Sequence, residues 1–343
     1  MIRSGNVLGA LAGCLRGEPP ANADWTAIIY LANRTLLTPA LFEALARASR
    51  LESLMEEGRA YLEFIHARNL ERNTRLRVQL VEAVGAFNDV GIEPTLLKGA
   101  VRLFCDPDER LGSRMTKDID LSVEEEEGCV GRERLIGLGY QDVVETRGME
   151  RPGDVGVLEM RQRPSAGSAA YLSREHEKPP MLVARMGVRA NIPSPTSRAL
   201  HWIVHDLIKE GDYWQGCIDL RHLYDLAELA RTEKGVDWAY LRGIMPDQLG
   251  RNVLDTQLLT LNSLFGTSIP PDVRRRTLVR FQHWRRMFTA RHPLAGAPLR
   301  LAGKLAWGRR QMGSVESIIE RGPAEFAPKV LRTLIGNRGG TKL

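Results

Sequence analysis

The chain is poor in the features that mark several protein classes. None of its 343 residues belongs to a run of ~18 uninterrupted apolar residues, the length a helix needs to cross a bilayer, so no membrane partner is expected. Residues 1–17 lack the basic start, apolar block and cleavage site of a secretory leader, which points to the cytoplasm. The four cysteines, Cys14, Cys105, Cys129 and Cys217, are widely scattered and form no C-x-x-C. That excludes a zinc knuckle and a disulfide framework and leaves buried, reduced thiols as the expectation. With 43% hydrophobic and 26% charged residues, the chain belongs to the ordinary globular class. At this length two or three packed units are expected, because single cores stop growing at ~250–300 residues.

Charge is present but uneven. The net charge of +6 combines 16 Lys/Arg against 4 Asp/Glu in residues 271–343 with a net −6 over residues 1–270. The basic end suits phosphates, a nucleic acid or an acidic partner, although a solvated helical face is the commoner origin of such a bias.

Periodicity divides the chain into three regions. Residues 1–88 read as helical, with apolar positions three and four apart at Leu37, Leu41 and Leu45 and again at Leu76, Leu80, Val84 and Phe87. Residues 89–192 read as an α+β core. Asn88-Asp89-Val90-Gly91 ends a helix, Ile92–Leu97 is a strand, Lys98-Gly99 a tight turn, and Ala100–Cys105 a helix. A second strand is expected at Asp118–Val123, a helix at Glu124–Leu138, and further strands at Tyr140–Thr146, Val155–Arg163 and Met181–Arg189. Pro164–Pro180, rich in Ser, Ala, Gly and Pro, is a candidate lid. Residues 193–343 return to helical periodicity, with helices at Ala199–Glu210 and Ile218–Arg231, and turn basic after 271.

The chemistry concentrates at Asp118-Ile119-Asp120. In a strand, residues two apart point the same way, so both carboxylates share one face, ~6–7 Å apart along the backbone, while Ile119 and Leu121 face the core. Two such carboxylates repel by several kcal/mol at an effective dielectric of ~20 and call for positive charge. A divalent ion that bridges triphosphate oxygens meets that need, and a two-ion site asks for a third acid from a neighbouring strand. Glu159 is the candidate, provided its strand lies beside Asp118–Val123. Lys98, Arg114 and Lys117 cluster nearby in sequence as candidate phosphate contacts, since a cation at a helix start wants an anion there. The bland alternatives are a solvated Lys98, an Arg114–Asp118 ion pair, and an exposed pair of Glu159 with Arg161 or Arg163.

These residues carry a resemblance. Leu97-Lys98-Gly99 followed by Gly112-Ser113-Arg114-Met115 and Asp118-Ile119-Asp120-Leu121 resembles the uncharacterised bacterial nucleotidyltransferase family with an L-K-G…R-x-x-x-D-I-D-L pattern, itself similar to the polymerase-β-like superfamily. The resemblance covers roughly residues 90–230, including a His-Asp helix at His201–Asp206. It implies a small mixed sheet with helices, flanked by helical regions, and transfer of a nucleoside monophosphate from an NTP, ATP among them, to an unidentified acceptor. It further implies Mg²⁺ (or Mn²⁺) on Asp118, Asp120 and Glu159 as metal ligands and catalytic residues, Gly99 in the phosphate-side turn, and Lys98, Arg114 and Lys117 on phosphate. Lys98-Gly99 stands where the wider superfamily carries a Gly-Gly or Gly-Ser turn.

Two other patterns compete. His201 and His205, one helical turn apart, with Asp206 and Asp225 faintly suggest a metal phosphohydrolase, against which Trp202, Ile203 and Val204 look like core. Arg274, Arg275, Arg276, Arg280, Arg285 and Arg286, interleaved with Phe281, Trp284 and Phe288, suit nucleic acid, although aromatics at helical spacing are more often core. A catalytically silent nucleotide- or nucleic-acid-binding module is thus the alternative to the enzyme.

Overall fold

In a computed structural model the chain is described over residues 6–143, 148–161, 171–172, 178–233, 235–312 and 342–343. Most of the candidate lid, Pro164–Pro180, lies outside these residues.

Three short helices, α1 (Val7–Leu15), α2 (Trp25–Arg34) and α3 (Thr38–Arg47), precede the 33-residue α4 (Glu56–Asn88). Glu56 and Glu57 sit in the first turn of α4, where carboxylates complement the helix dipole. Its end is set by Gly91, whose φ of 79° lets the Ile92 N–H turn back to the Phe87 carbonyl.

The core that follows is α+β, as expected. Among the described residues its seven strands are β1 (Thr95–Leu96), β2 (Asp118–Ser122), β3 (Gln141–Val143), β4 (Gly148–Glu150), β5 (Val157–Arg161), β6 (Met181–Arg185) and β7 (Val188–Ile192). They form one mixed sheet in the order β3-β4-β5-β2-β1-β7-β6, in which β2 pairs parallel with β5, β1 pairs parallel with β7, and the remaining pairs are antiparallel. Helix α5 (Lys98–Cys105) follows β1, and α6 (Gly128–Gly137) follows β2.

The boundaries differ from the sequence reading where turns intervene. The strand expected at Ile92–Leu97 pairs over only two residues. The single strand expected at Met181–Arg189 is a hairpin, because Met186 and Gly187 both take positive φ, 53° and 80°. Two consecutive left-handed residues match the twist of the flanking strands, but nothing like Asn-Gly announced the turn. Residues 125–127 form a separate turn rather than the first turn of the helix expected at Glu124–Leu138. The strand expected at Tyr140–Thr146 is described from Gln141 to Val143.

The remaining helices are α7 (Pro195–Ile203), continued by a π-helical stretch at Val204–Lys209, then α8 (Asp212–Gln215), α9 (Leu220–Ala230), α10 (Trp238–Gly243), α11 (Gln248–Phe265), α12 (Thr277–Arg291) and α13 (Ala297–Met312). None of the described helices is long and apolar enough to cross a membrane.

Two apolar cores organise these elements. In one, Leu11 and Leu15 of α1 and Leu41 and Leu45 of α3 pack with Leu200, Leu207, Leu254 and Leu258, so both ends of the chain share a single helical core. In the other, Leu80, Val84 and Phe87 of α4 pack with Leu96, Phe104, Ile119, Leu121 and Leu158 under the sheet. Helix α4 serves both cores, giving Leu62 to the first and its C-terminal half to the second. It thereby fixes the sheet against the helices and places a cleft between them.

Candidate active site

Alternation along β2 buries Ile119 and Leu121 under the sheet and turns Asp118 and Asp120 to the opposite face. The parallel partner β5 sets Asp120 directly across from Glu159 and Ser122 across from Arg161. Ligand oxygens of Asp118, Asp120 and Glu159 all lie within 4.8 Å of one another. The three acids expected from three sequence positions therefore do converge.

Positive neighbours converge on them as well. Asp120 is fully buried. Its Oδ1 accepts from Lys98 Nζ at 2.9 Å and from Arg161 at 2.7 Å, and Arg161 also reaches Glu159 Oε2 at 2.8 Å. Asp120 Oδ2 is buried and has no partner. Burial pushes the Asp120 carboxyl above its ordinary range, and Asp118 adds to this, while Lys98 and Arg161 pull it down. A buried carboxylate oxygen with nothing to bind, flanked by two more carboxylates, is what a hard divalent cation fits: oxygen donors, excess negative charge and an unmet need for a positive partner.

Lys98 opens α5 in the left-handed conformation, φ 46°, which is strained for a residue with a Cβ. Its ion pair with Asp120 helps to hold it there. Gly99 is fixed by space, since a Cβ at this position would stand 2.7 Å from both an Arg114 guanidinium nitrogen and the Thr116 methyl. Arg114 does not pair with Asp118. It is buried, and its Nε donates to Asp225 Oδ2 at 2.8 Å. Arg102, 3.8 Å from the other Asp225 oxygen, completes a latch from the α5 side of the core to α9. Lys117 is exposed beside Asp118.

The loop that carries these groups is held by the polar face of α4. Asn69 and Asn73 donate to the carbonyls of Leu111, Gly112 and Arg114, and Arg72 donates to those of Thr116, Lys117 and Val155. One side chain thus ties together the entries to β2 and β5, where the three acids reside. Apolar periodicity had shown only the other face of this helix.

A cleft of about 200 Å³ opens beside Asp118, lined on the sheet side by Lys98, Gly99, Arg114 and Lys117 and on the helical side by His205, Asp206, Asp219, Arg221 and His222. The helical half was missed in its role. Asp206 accepts from Nδ1 of His205 at 2.9 Å and of His222 at 2.9 Å, while Asp219 caps α9 through the His222 N–H. The phosphohydrolase set His201, His205, Asp206 and Asp225 is not among the metal-ligand clusters of the described residues, and Asp225 is committed to Arg114 and Arg102.

A family model described as an uncharacterised nucleotidyltransferase matches residues 21–250, which hold every residue named at this site. The chain belongs to that nucleotidyltransferase family. No curated protein and no solved structure matches the chain. The match leaves out α1, takes in α2 and α3 of the shared helical core as well as the sheet, and ends inside α11.

The basic stretch beyond the match behaves opposite to the usual rule. Phe281 and Trp284 are 53% and 54% exposed, whereas Arg286 is only 1% exposed and Arg285 is buried. Both arginines turn inward to carbonyls of α8 and the loop after it, those of Tyr213, Trp214 and Cys217.

Proposed function

We propose that the protein transfers a nucleoside monophosphate from an NTP to an acceptor and releases pyrophosphate. The observation that carries this is the convergence of Asp118, Asp120 and Glu159 from two parallel strands, with one buried Asp120 oxygen unpartnered, at the edge of a cation-lined cleft. These three residues would hold Mg²⁺ or Mn²⁺, which when bound draws off negative charge that develops on the triphosphate during transfer. Lys98 and Lys117 offer ammonium groups to the phosphates from the sheet side. Arg114, tied through Nε to Asp225, positions the loop and presents the rest of its guanidinium to the cleft. Arg161 neutralises Asp120 and Glu159 from outside the cleft and holds their spacing.

The direct test is Mg²⁺-dependent release of pyrophosphate from each of the four NTPs by wild type and by Asp118→Asn and Asp120→Asn. Loss of turnover in both variants is expected, and unchanged turnover in both would remove the site assignment.

A second reading concerns the basic C-terminal region. Phe281, Trp284, Phe288 and His292 form a ladder along one side of α12, with neighbouring ring centroids 6.0, 5.5 and 5.2 Å apart, and exposed Arg280 and Arg291 lie on the same helix. Cations beside exposed rings favour a single-stranded nucleic acid, whose phosphates and bases they match, over an acidic protein. Oligonucleotide affinity that falls steeply with salt and is lost in Trp284→Ala would support this, and no binding at low salt would exclude it.

A further inference from the structure

The helical half of the cleft contributes none of the three converging carboxylates, and its hydrogen bonds are specific. His205 and Asp206 lie in the π-helical stretch Val204–Lys209, a rare geometry that recurs at functional sites. Asp206 is 3% exposed, and each of its oxygens accepts from a histidine Nδ1. On the far side of His222, Nε2 lies 3.3 Å from an Arg221 guanidinium nitrogen. Asp206 can only accept, so Nδ1 of His222 donates to it, and although burial lowers the His222 pKa, Asp206 and Asp219 raise it on balance. Asp206, Asp219 and His222 are close enough to suggest a cation site, yet both Asp206 oxygens and both His222 nitrogens are already engaged. What the cluster builds is an orienting carboxylate.

Burial pushes the Asp206 carboxyl up, but His222 and the hydrogen bonds from both histidines outweigh it and hold the group ionised. An ionised carboxylate at Nδ1 makes that nitrogen the donor in His205 and leaves the lone pair on Nε2. Burial also lowers the pKa of His205, which favours the neutral imidazole. His205 is partly exposed and lines the same cleft as Asp118 and Lys98, and its Nε2 stands 4.0 Å from Glu210 Oε1.

We propose that His205, oriented by Asp206, is the base that takes the acceptor's proton during nucleotidyl transfer, and that the acceptor therefore presents a hydroxyl. This rests on the transfer reading above. The acceptor oxygen bonds to the α-phosphorus as the bond between that phosphorus and the α–β bridging oxygen breaks. Pyrophosphate leaves with the electron pair, and the acceptor's proton passes to His205 Nε2. The imidazolium so formed lies between Asp206 and Glu210, both able to stabilise it. A phosphate or carboxylate acceptor is already ionised near neutrality and needs no base, whereas hydroxyl groups, with pKa values of about 10 and above, do.

The test uses the full chain with Mg·ATP and three hydroxyl probes, glycerol, N-acetylserinamide and N-acetyltyrosinamide, beside methyl phosphate and acetate as probes that need no base. Adducts are read by mass and turnover by pyrophosphate. Transfer to a hydroxyl probe should fall about 10²–10⁴-fold in His205→Ala with Mg·ATP affinity retained, and added imidazole should restore part of it. Equal rates in wild type and His205→Ala, a loss of rate that follows a loss of Mg·ATP binding, or transfer to methyl phosphate or acetate alone would each overturn the proposal. A readout that needs no acceptor accompanies it: ¹⁵N spectra of the histidines should show His205 protonated at Nδ1 with a free Nε2, and the opposite tautomer would overturn it too. Failure of the transfer reading itself looks different, as absence of any Asp120-dependent Mg·ATP binding.

Discussion

Asp120 and Asp206 are both buried aspartates at the two halves of one cleft, and they are satisfied in opposite ways. Asp206 has each oxygen filled by a histidine N–H and is held ionised. Asp120 has two cations crowded on Oδ1 and nothing on Oδ2, and burial raises its pKa. A carboxylate with complete hydrogen bonding orients its neighbours, whereas one left half-satisfied is a place for something to bind. On the proposed function, the sheet half takes a cation with its nucleotide and the helical half positions a proton acceptor.

The largest effect expected from this contrast is on nucleotide binding. Asp120→Asn should weaken Mg²⁺-dependent NTP binding by more than the ~10–100-fold typical of losing an outer-shell partner. Asp206→Asn should leave that binding within a few-fold of wild type. Calorimetric titration of Mg·ATP into each variant separates them, and equal losses would dissolve the distinction.

Asp225 is a third buried aspartate and, like Asp206, has both oxygens facing partners. Asp225→Ala strands the buried Arg114 guanidinium and should cost about 3–5 kcal/mol in denaturant unfolding. A cost below 1 kcal/mol would mean that the latch between α5 and α9 does not hold the cleft. Gly99→Ala presses a methyl group toward Arg114 and Thr116 and should cost about 1–3 kcal/mol, as overpacking does. Restored stability in Gly99→Ala combined with Thr116→Ser would localise the clash to the Thr116 methyl, 2.7 Å from the added Cβ.

The smallest expected effect lies away from the cleft, where burial acts without an orienting carboxylate. His283 is pulled down to about 4 by burial, with Arg286 and Arg291 adding to it, and its Nδ1 meets Thr260. Its folded pKa lies below its unfolded value, so between ~6.5 and 4 the unfolded chain binds more protons and stability declines as pH falls. His283→Gln should flatten the stability profile between pH 6.5 and 4 when unfolding is followed in urea. An unchanged slope would show that His283 titrates normally.

Much of the sheet half was legible because strands have a period of two. Asp118 and Asp120 on one face, Ile119 and Leu121 on the other, and Glu159 in phase with Arg161 all follow from alternation, and the parallel pairing of β2 with β5 supplied the one adjacency that alternation cannot give. The latch and the supports of the site's loop were not legible, because their partners are far apart in the chain. Arg114 and Asp225 are separated by 111 residues, and Asn69 and Asn73 reach carbonyls about forty residues away. Side-chain bonds to backbone carbonyls leave no periodic trace. The same blindness reversed α12, where Arg285 and Arg286 are buried on carbonyls while Phe281 and Trp284 face outward.

On the proposed function the unpartnered oxygen of Asp120 marks a divalent-cation and NTP site. A thermal-unfolding series with each NTP, with and without Mg²⁺, on wild type and Asp120→Asn tests it most directly, since a ligand bound only by the folded state raises its melting temperature. A rise for wild type that requires both NTP and Mg²⁺ and vanishes in Asp120→Asn is expected. A rise of equal size in the variant, or one that ignores Mg²⁺, would contradict it.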